Sequence, residues 1–149
     1  MDSGNIGFVL LCAAFVFVMT PGLAMFYGGL VRKKNVVNTM MTSIFIIGIG
    51  IVMWVLFGYS LSFAPSGNAF IGDFRWLGLE GVSLTEGYTD DASIPNMVFS
   101  AFQMMFAVIT PALITGAVAG RMKFKSIFIF TIFWSLIVYY PLAHMVWGQ

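Results

Sequence analysis

Charge is what this chain has least of: 9% of its 149 residues are Asp, Glu, Lys or Arg, against about a quarter in a soluble domain. A soluble globular fold is thereby excluded. There is one cysteine, Cys12, so no intrachain disulfide can form, and the residue reads as a small apolar packing group. There is one histidine, His144, and a metal site needs clustered His, Cys or carboxylate ligands. Neither residue supplies a nucleophile arrangement, so no enzyme chemistry, cofactor or metal is expected. No basic run suggests nucleic acid as a partner.

What is present is apolar length. The chain is 60% hydrophobic and 17% aromatic, with a mean hydropathy of +0.95. Crossing a hydrocarbon core of roughly 30 Å takes about 20 mainly apolar residues. Four uncharged stretches reach that length, at 6–31, 36–63, 94–119 and 126–147. The fold class expected is an all-α integral membrane protein with four transmembrane helices. The first three stretches hold no ionisable acid or base, whereas pumps and ion-coupled carriers bury such groups. The segment reads as the wall of a neutral, mostly apolar passage.

The few charges are segregated. Asp2, Asp73, Glu80, Glu86, Asp90 and Asp91 fall in the N-terminal tip and one polar loop, 64–93. Arg32, Lys33, Lys34, Arg121, Lys123 and Lys125 fall in two short loops, and only Arg75 breaks the pattern. Lys and Arg accumulate in short cytoplasmic loops, so both chain ends are expected outside. A secretory signal carries positive residues ahead of its apolar core. Here the first five residues hold an acid and no base, which fits a first helix with its N-terminus out. The polar loop is expected to be flexible, with a short structured turn near 74–79, and Pro95 is expected in the first turn of the third helix.

Inside the spans, Thr20-Pro21 and Thr110-Pro111 mark kinks that membrane helices tolerate when a Thr side chain satisfies a freed carbonyl. Gly22, Gly28 and Gly29 in the first span, and Gly116 with Gly120 as a GxxxG in the third, suit close helix packing. Phe99, Phe102 and Phe106 are spaced to line one helix face, with Gln103 beside them, and Trp147 lies one turn from His144. Two readings stand: packing, lipid contact and an interfacial anchor, or a cage of aromatic faces for a small cation outside a constriction. Spacing alone does not choose between them.

The run Met19-Thr20-Pro21-Gly22-Leu23-Ala24-Met25-Phe26-Tyr27-Gly28-Gly29-Leu30-Val31-Arg32, followed by Lys34-Asn35-Val36, resembles the first-helix signature of the ammonium transporter family (the Amt, Mep and Rhesus group). Phe102-Gln103-Met104-Met105-Phe106-Ala107 with Ile109-Thr110 resembles its third helix, and Ala143-His144-Met145-Val146-Trp147-Gly148 the end of its fourth. The resemblance covers essentially the whole chain, yet only the first part of an eleven-helix, inverted-repeat channel fold.

The resemblance implies passage of ammonium or ammonia through a narrow pore of a homotrimer in the plasma membrane. It places Trp147 and Phe106 in an external recruitment site, with Phe102 shaping the vestibule and Phe106 also gating the pore. Leu23, Phe26 and Tyr27 would line the apolar conduit. The family's two pore histidines sit on later helices, and His144 is neither of them. The acidic residue that follows the family's fourth helix is absent, and Gly120 stands where many members carry Glu. A cytoplasmic regulatory protein is implied only for regions outside this chain. A sensor of the same family, or a non-transporting fragment should the polypeptide end at Gln149, are the alternatives.

Overall fold

The computed structural model describes residues 2–65 and 68–148. Ser66 and Gly67, read above as part of the polar loop, lie outside the described residues. Four helices are long and apolar enough to span a membrane: α1 (Ser3–Leu30), α2 (Lys33–Phe63), α3 (Asn96–Val118) and α4 (Phe124–Trp147). The chain is a multi-pass membrane protein.

The helix ends follow local chemistry more closely than hydropathy. α1 starts three residues before the apolar run because Asp2 caps it, its Oδ1 accepting from the N–H groups of Gly4 at 2.7 Å and Asn5 at 3.2 Å, a short polar side chain at the expected N-cap. Pro95 is the extended residue before α3 rather than part of its first turn, so that expectation is corrected by one position. α4 starts two residues early, because the Lys123 carbonyl accepts from Ser126 and Ile127 N–H groups at 3.0 and 3.2 Å. The helices run through Pro21 and Pro111 without a break.

α1 packs on α2 and α3, and α2 packs on α3, while the outer turns of α4 lie against the end of α2. Each of α2 and α4 contains one π-type turn, at Trp54–Gly58 and Ser135–Tyr139. The main core lies at the polar-loop end, where Trp54, Tyr59, Phe63 and Tyr140 are all at most 1% exposed. Trp54 contacts each of the other three rings at centroid distances of 5.7 to 6.1 Å. A smaller cluster of Ile46, Ala112 and Ile127 fills the other half.

The polar loop is anchored, which corrects the expectation of a flexible one. Ser60 Oγ donates to the Asp73 carbonyl at 2.6 Å and accepts from the Trp76 N–H at 3.1 Å. Trp76 stacks on Tyr59 at 5.5 Å and Tyr88 on Phe99 at 4.8 Å, so aromatic area from the loop joins the helical core. The expected turn is present as a short 3-10 segment at Leu77–Leu79. The Asp2 N–H donates to the Ser93 carbonyl at 3.0 Å, which joins the N-terminal tip to this loop. Both acid-bearing segments therefore occupy one end of the bundle.

The small residues divide into two groups. A Cβ on Gly116 would lie 2.5 Å from the Tyr27 ring, and one on Gly28 would lie 2.8 Å from Met40. Nothing lies within 4 Å of such an atom at Gly22 or Gly29. Gly120 falls beyond α3 with φ +72°, a left-handed conformation that costs glycine little. It turns the chain after the helix, and a Cβ there would lie 2.8 Å from Asn35 Nδ2.

Candidate functional site

The aromatic stripe of α3 splits in two. Phe102 and Phe106 meet edge to face at 5.2 Å and 79°, and both are half-buried. Phe99 turns away, stacked on Tyr88 and edge-on to Phe63 at 5.1 Å. Loop packing has absorbed it. Thr110 Oγ1 donates to the Phe106 carbonyl at 2.6 Å, one residue before the carbonyl that Pro111 leaves without its helical donor. The matching Thr20 Oγ1 is buried with no hydrogen-bond partner among the described residues, so the two Thr-Pro pairs are not equivalent.

Trp147 ends α4 at 53% exposure, in no ring contact among the described residues. What fixes its turn is His144. That side chain is 4% exposed, and its Nδ1 and Nε2 face the carbonyl oxygens of Ser62 and Asn68 at 3.1 and 3.0 Å. The Gly148 N–H closes the helix onto the His144 carbonyl at 2.7 Å. The histidine thus pins the turn carrying Trp147 to the end of α2 and the adjoining loop.

Of the residues placed along the apolar conduit, Leu23 packs against the inner cluster. Phe26 is 61% exposed on the surface of this chain. Tyr27 lies across Gly116, and its hydroxyl donates to the Leu113 carbonyl at 3.0 Å. The described residues contain no group of His, Cys and carboxylates able to hold a metal.

The one base at the acidic end is locally matched, since Arg75 pairs with Asp73 at 3.2 Å. The Phe74 N–H, and then Arg75, hold the Asp73 carboxyl below its ordinary value. Arg75 therefore does not upset the charge segregation. The carboxylates of this end are exposed, and the uncharged rings of Phe102 and Phe106 lie further along α3.

The Ammonium Transporter Family matches residues 7–149. The chain belongs to this family. It is similar to the ammonium transporter of Bacillus subtilis, with 50% identity over 99% of this chain and 36% of that protein. Ammonium transporter Amt1 of Archaeoglobus fulgidus is 36% identical over 99% of the chain and 35% of its own length. Among solved structures, Mep2 of Candida albicans superposes on all of this chain with a TM-score of 0.87 at 28% identity, covering 32% of that protein. Mep2 of Saccharomyces cerevisiae matches with a TM-score of 0.87 at 33% identity, covering 35%. As a member of the ammonium transporter family, the chain spans about a third of the length of these relatives.

Three supports of the site escaped sequence reasoning: the Ser62 and Asn68 carbonyls facing His144, the loop clamp at Ser60, and the Tyr88 ring that removes Phe99 from the stripe. Each joins positions far apart in the chain, and no local pattern signals it.

Proposed function

We propose that this chain forms the first part of a membrane pore for ammonium or ammonia. On this reading, Trp147, Phe106 and Phe102 belong to an external recruitment site, and Leu23, Phe26 and Tyr27 to the wall of the conduit. What supports the reading is the edge-to-face pair of Phe102 and Phe106, in the half of α3 nearer the acidic loop, in a bundle whose first three apolar stretches hold no charge. A desolvated cation over such faces gains about 2 kcal/mol or more from the ring quadrupoles, while a narrow apolar constriction resists hydrated ions.

The exposed side of α1, with Phe8, Leu11, Phe15 and Met19 between 54 and 68% exposed, supports burial against lipid, further helices or other subunits of a homotrimer. The proposal is tested on the full-length protein by Trp147→Leu, which is expected to weaken uptake at low ammonium while leaving the melting temperature intact. Unchanged uptake kinetics would remove Trp147 from the recruitment site.

A further inference from the structure

α2, α3 and the start of α4 meet in the half of the bundle nearer the basic loops, and several of the side chains between them carry hydroxyls. Thr39, Thr42 and Ser43 of α2 and Thr115 of α3 are each at most 3% exposed. Thr42 Oγ1 donates to the Asn38 carbonyl and Thr115 Oγ1 to the Ala112 carbonyl, both at 2.7 Å. Ser43 Oγ donates to the Thr39 carbonyl at 3.3 Å and lies 3.3 Å from Thr115 Oγ1. These three hydroxyls each have an acceptor for their hydrogen.

Thr39 differs. A threonine in a helix can bond back to the carbonyl four residues earlier, as Thr42 does. Four residues before Thr39 stands Asn35, the last residue of the 3-10 turn Lys33–Asn35 with which α2 opens, and its carbonyl belongs to that tighter winding. Thr39 Oγ1 is buried with no hydrogen-bond partner among the described residues. Burial of a hydroxyl in that condition is costly.

That hydroxyl borders a small cavity. It is lined by the polar residues Asn38, Thr39, Thr42 and Thr115, and by Met122, Ile127 and the chain at 119–120. Its volume is about 10 Å³, at the lower bound of what one water needs. A water also requires two to four polar partners, and the lining offers them. A phosphate or a lipid chain does not fit.

We propose that this cavity binds one ordered water, which accepts from Thr39 Oγ1. Its own hydrogens go to Thr42 Oγ1 and Thr115 Oγ1, hydroxyls that already donate elsewhere and keep lone pairs free. The water thereby joins α2 to α3. An ammonium ion has no lone pair with which to accept from Thr39, so the donor count selects water. The proposal does not depend on the ammonium reading.

The test is a structure of the full-length protein, free of ammonium salts, at a resolution that shows ordered waters. A density peak is expected about 2.5–3.0 Å from Thr39 Oγ1 and from the hydroxyl of Thr42 or Thr115. Absence of the peak overturns the proposal, as does a peak that forms only when ammonium is added.

Thr39→Val keeps the branched shape and removes the hydroxyl. Removing a hydroxyl that has no partner raises the melting temperature, whereas removing one that holds a water lowers it by stripping the water of a donor. Thr39→Val in the full-length protein is therefore expected to melt lower and to lack the peak, and Thr39→Ser to keep it. A raised or unchanged melting temperature in Thr39→Val, a peak that survives in it, or loss of the peak in Thr39→Ser each overturns the proposal. If Thr39→Val does not fold, the peak in the unaltered protein and in Thr39→Ser carries the test.

Discussion

The hydroxyl of Tyr27 reaches across the helix interface and donates to the carbonyl of Leu113 at 3.0 Å. The ring can lie this close because the facing residue is Gly116, where an added Cβ would fall 2.5 Å from the ring. Gly116→Ala is expected to destabilise the bundle by about 1–3 kcal/mol, the usual range for overpacking. Tyr27→Phe is expected to cost about 0.6 kcal/mol, the average for one hydrogen bond between membrane helices. Combining Gly116→Ala with Tyr27→Ala is expected to relieve most of the alanine penalty. Thermal melts of the unaltered protein, Gly116→Ala, Tyr27→Ala and their combination test this, and additive penalties would show that the two positions do not press on each other.

Trp54 donates its indole N–H to Ser100 Oγ at 3.3 Å, with both side chains buried. Ser100→Ala leaves that donor without its partner at about 1–3 kcal/mol. Ser100→Thr keeps a hydroxyl and is expected to retain part of the stability. The intrinsic fluorescence transition measures both, and an unchanged midpoint in Ser100→Ala would mean that the contact contributes nothing.

His144→Ala removes the side chain that holds the last turn of α4. The expected loss is about 2–3 kcal/mol, combining a cavity with lost polar contacts. It should be accompanied by faster hydrogen exchange at the amides of Val146, Trp147 and Gly148. Trp147→Leu, by contrast, leaves that protection in place. If His144→Ala alters stability but not exchange at this turn, the histidine supports the core and not the position of Trp147.

Asp73 gives the polar loop a defined pH response. Its carboxylate accepts from the Phe74 N–H at 2.6 Å and from Arg75, and both contacts lower its pKa. A group lowered on folding contributes stability that is complete above the ordinary aspartate value of about 3.9 and is lost as pH falls through its own lower value. The loop should therefore be unchanged between pH 7 and about 5 on this account and loosen only below about 4. Trp76 fluorescence reports it, because that ring stacks on Tyr59. Arg75→Gln removes both the hydrogen bond and the charge that Arg75 supplies, so the Asp73 value should rise while the Phe74 N–H still lowers it. A proton NMR titration placing Asp73 at or above the ordinary value would contradict the assignment.

The four helices were legible in the sequence because hydrophobic length is a local property: in a bilayer, backbone polar groups must pair within their own segment. Charge segregation was legible for a related reason, since a charge is costly inside the hydrocarbon and collects at its borders. The family motifs that contain Phe102, Phe106 and Trp147 were legible because each is a contiguous run of residues.

Periodicity could not say which members of a stripe face a site. Phe99, Phe102 and Phe106 satisfy the same spacing, yet Tyr88 from the loop stacks on Phe99 and removes it. The same limit applies to the glycines: Gly28 and Gly116 face a packed partner, Gly22 and Gly29 do not, and Gly120 turns a chain.

The sequence by itself determined the membrane class, the number of helices and the sign of charge at each border, because each depends on the free energy of a segment in water or lipid. Only the tertiary structure decided that His144 holds the turn of Trp147, that Tyr27 seals α1 against α3, and that Thr39, Thr42 and Thr115 share one cavity. Those facts depend on which atoms approach within a few ångströms across the bundle, and contact between distant segments has no local signature.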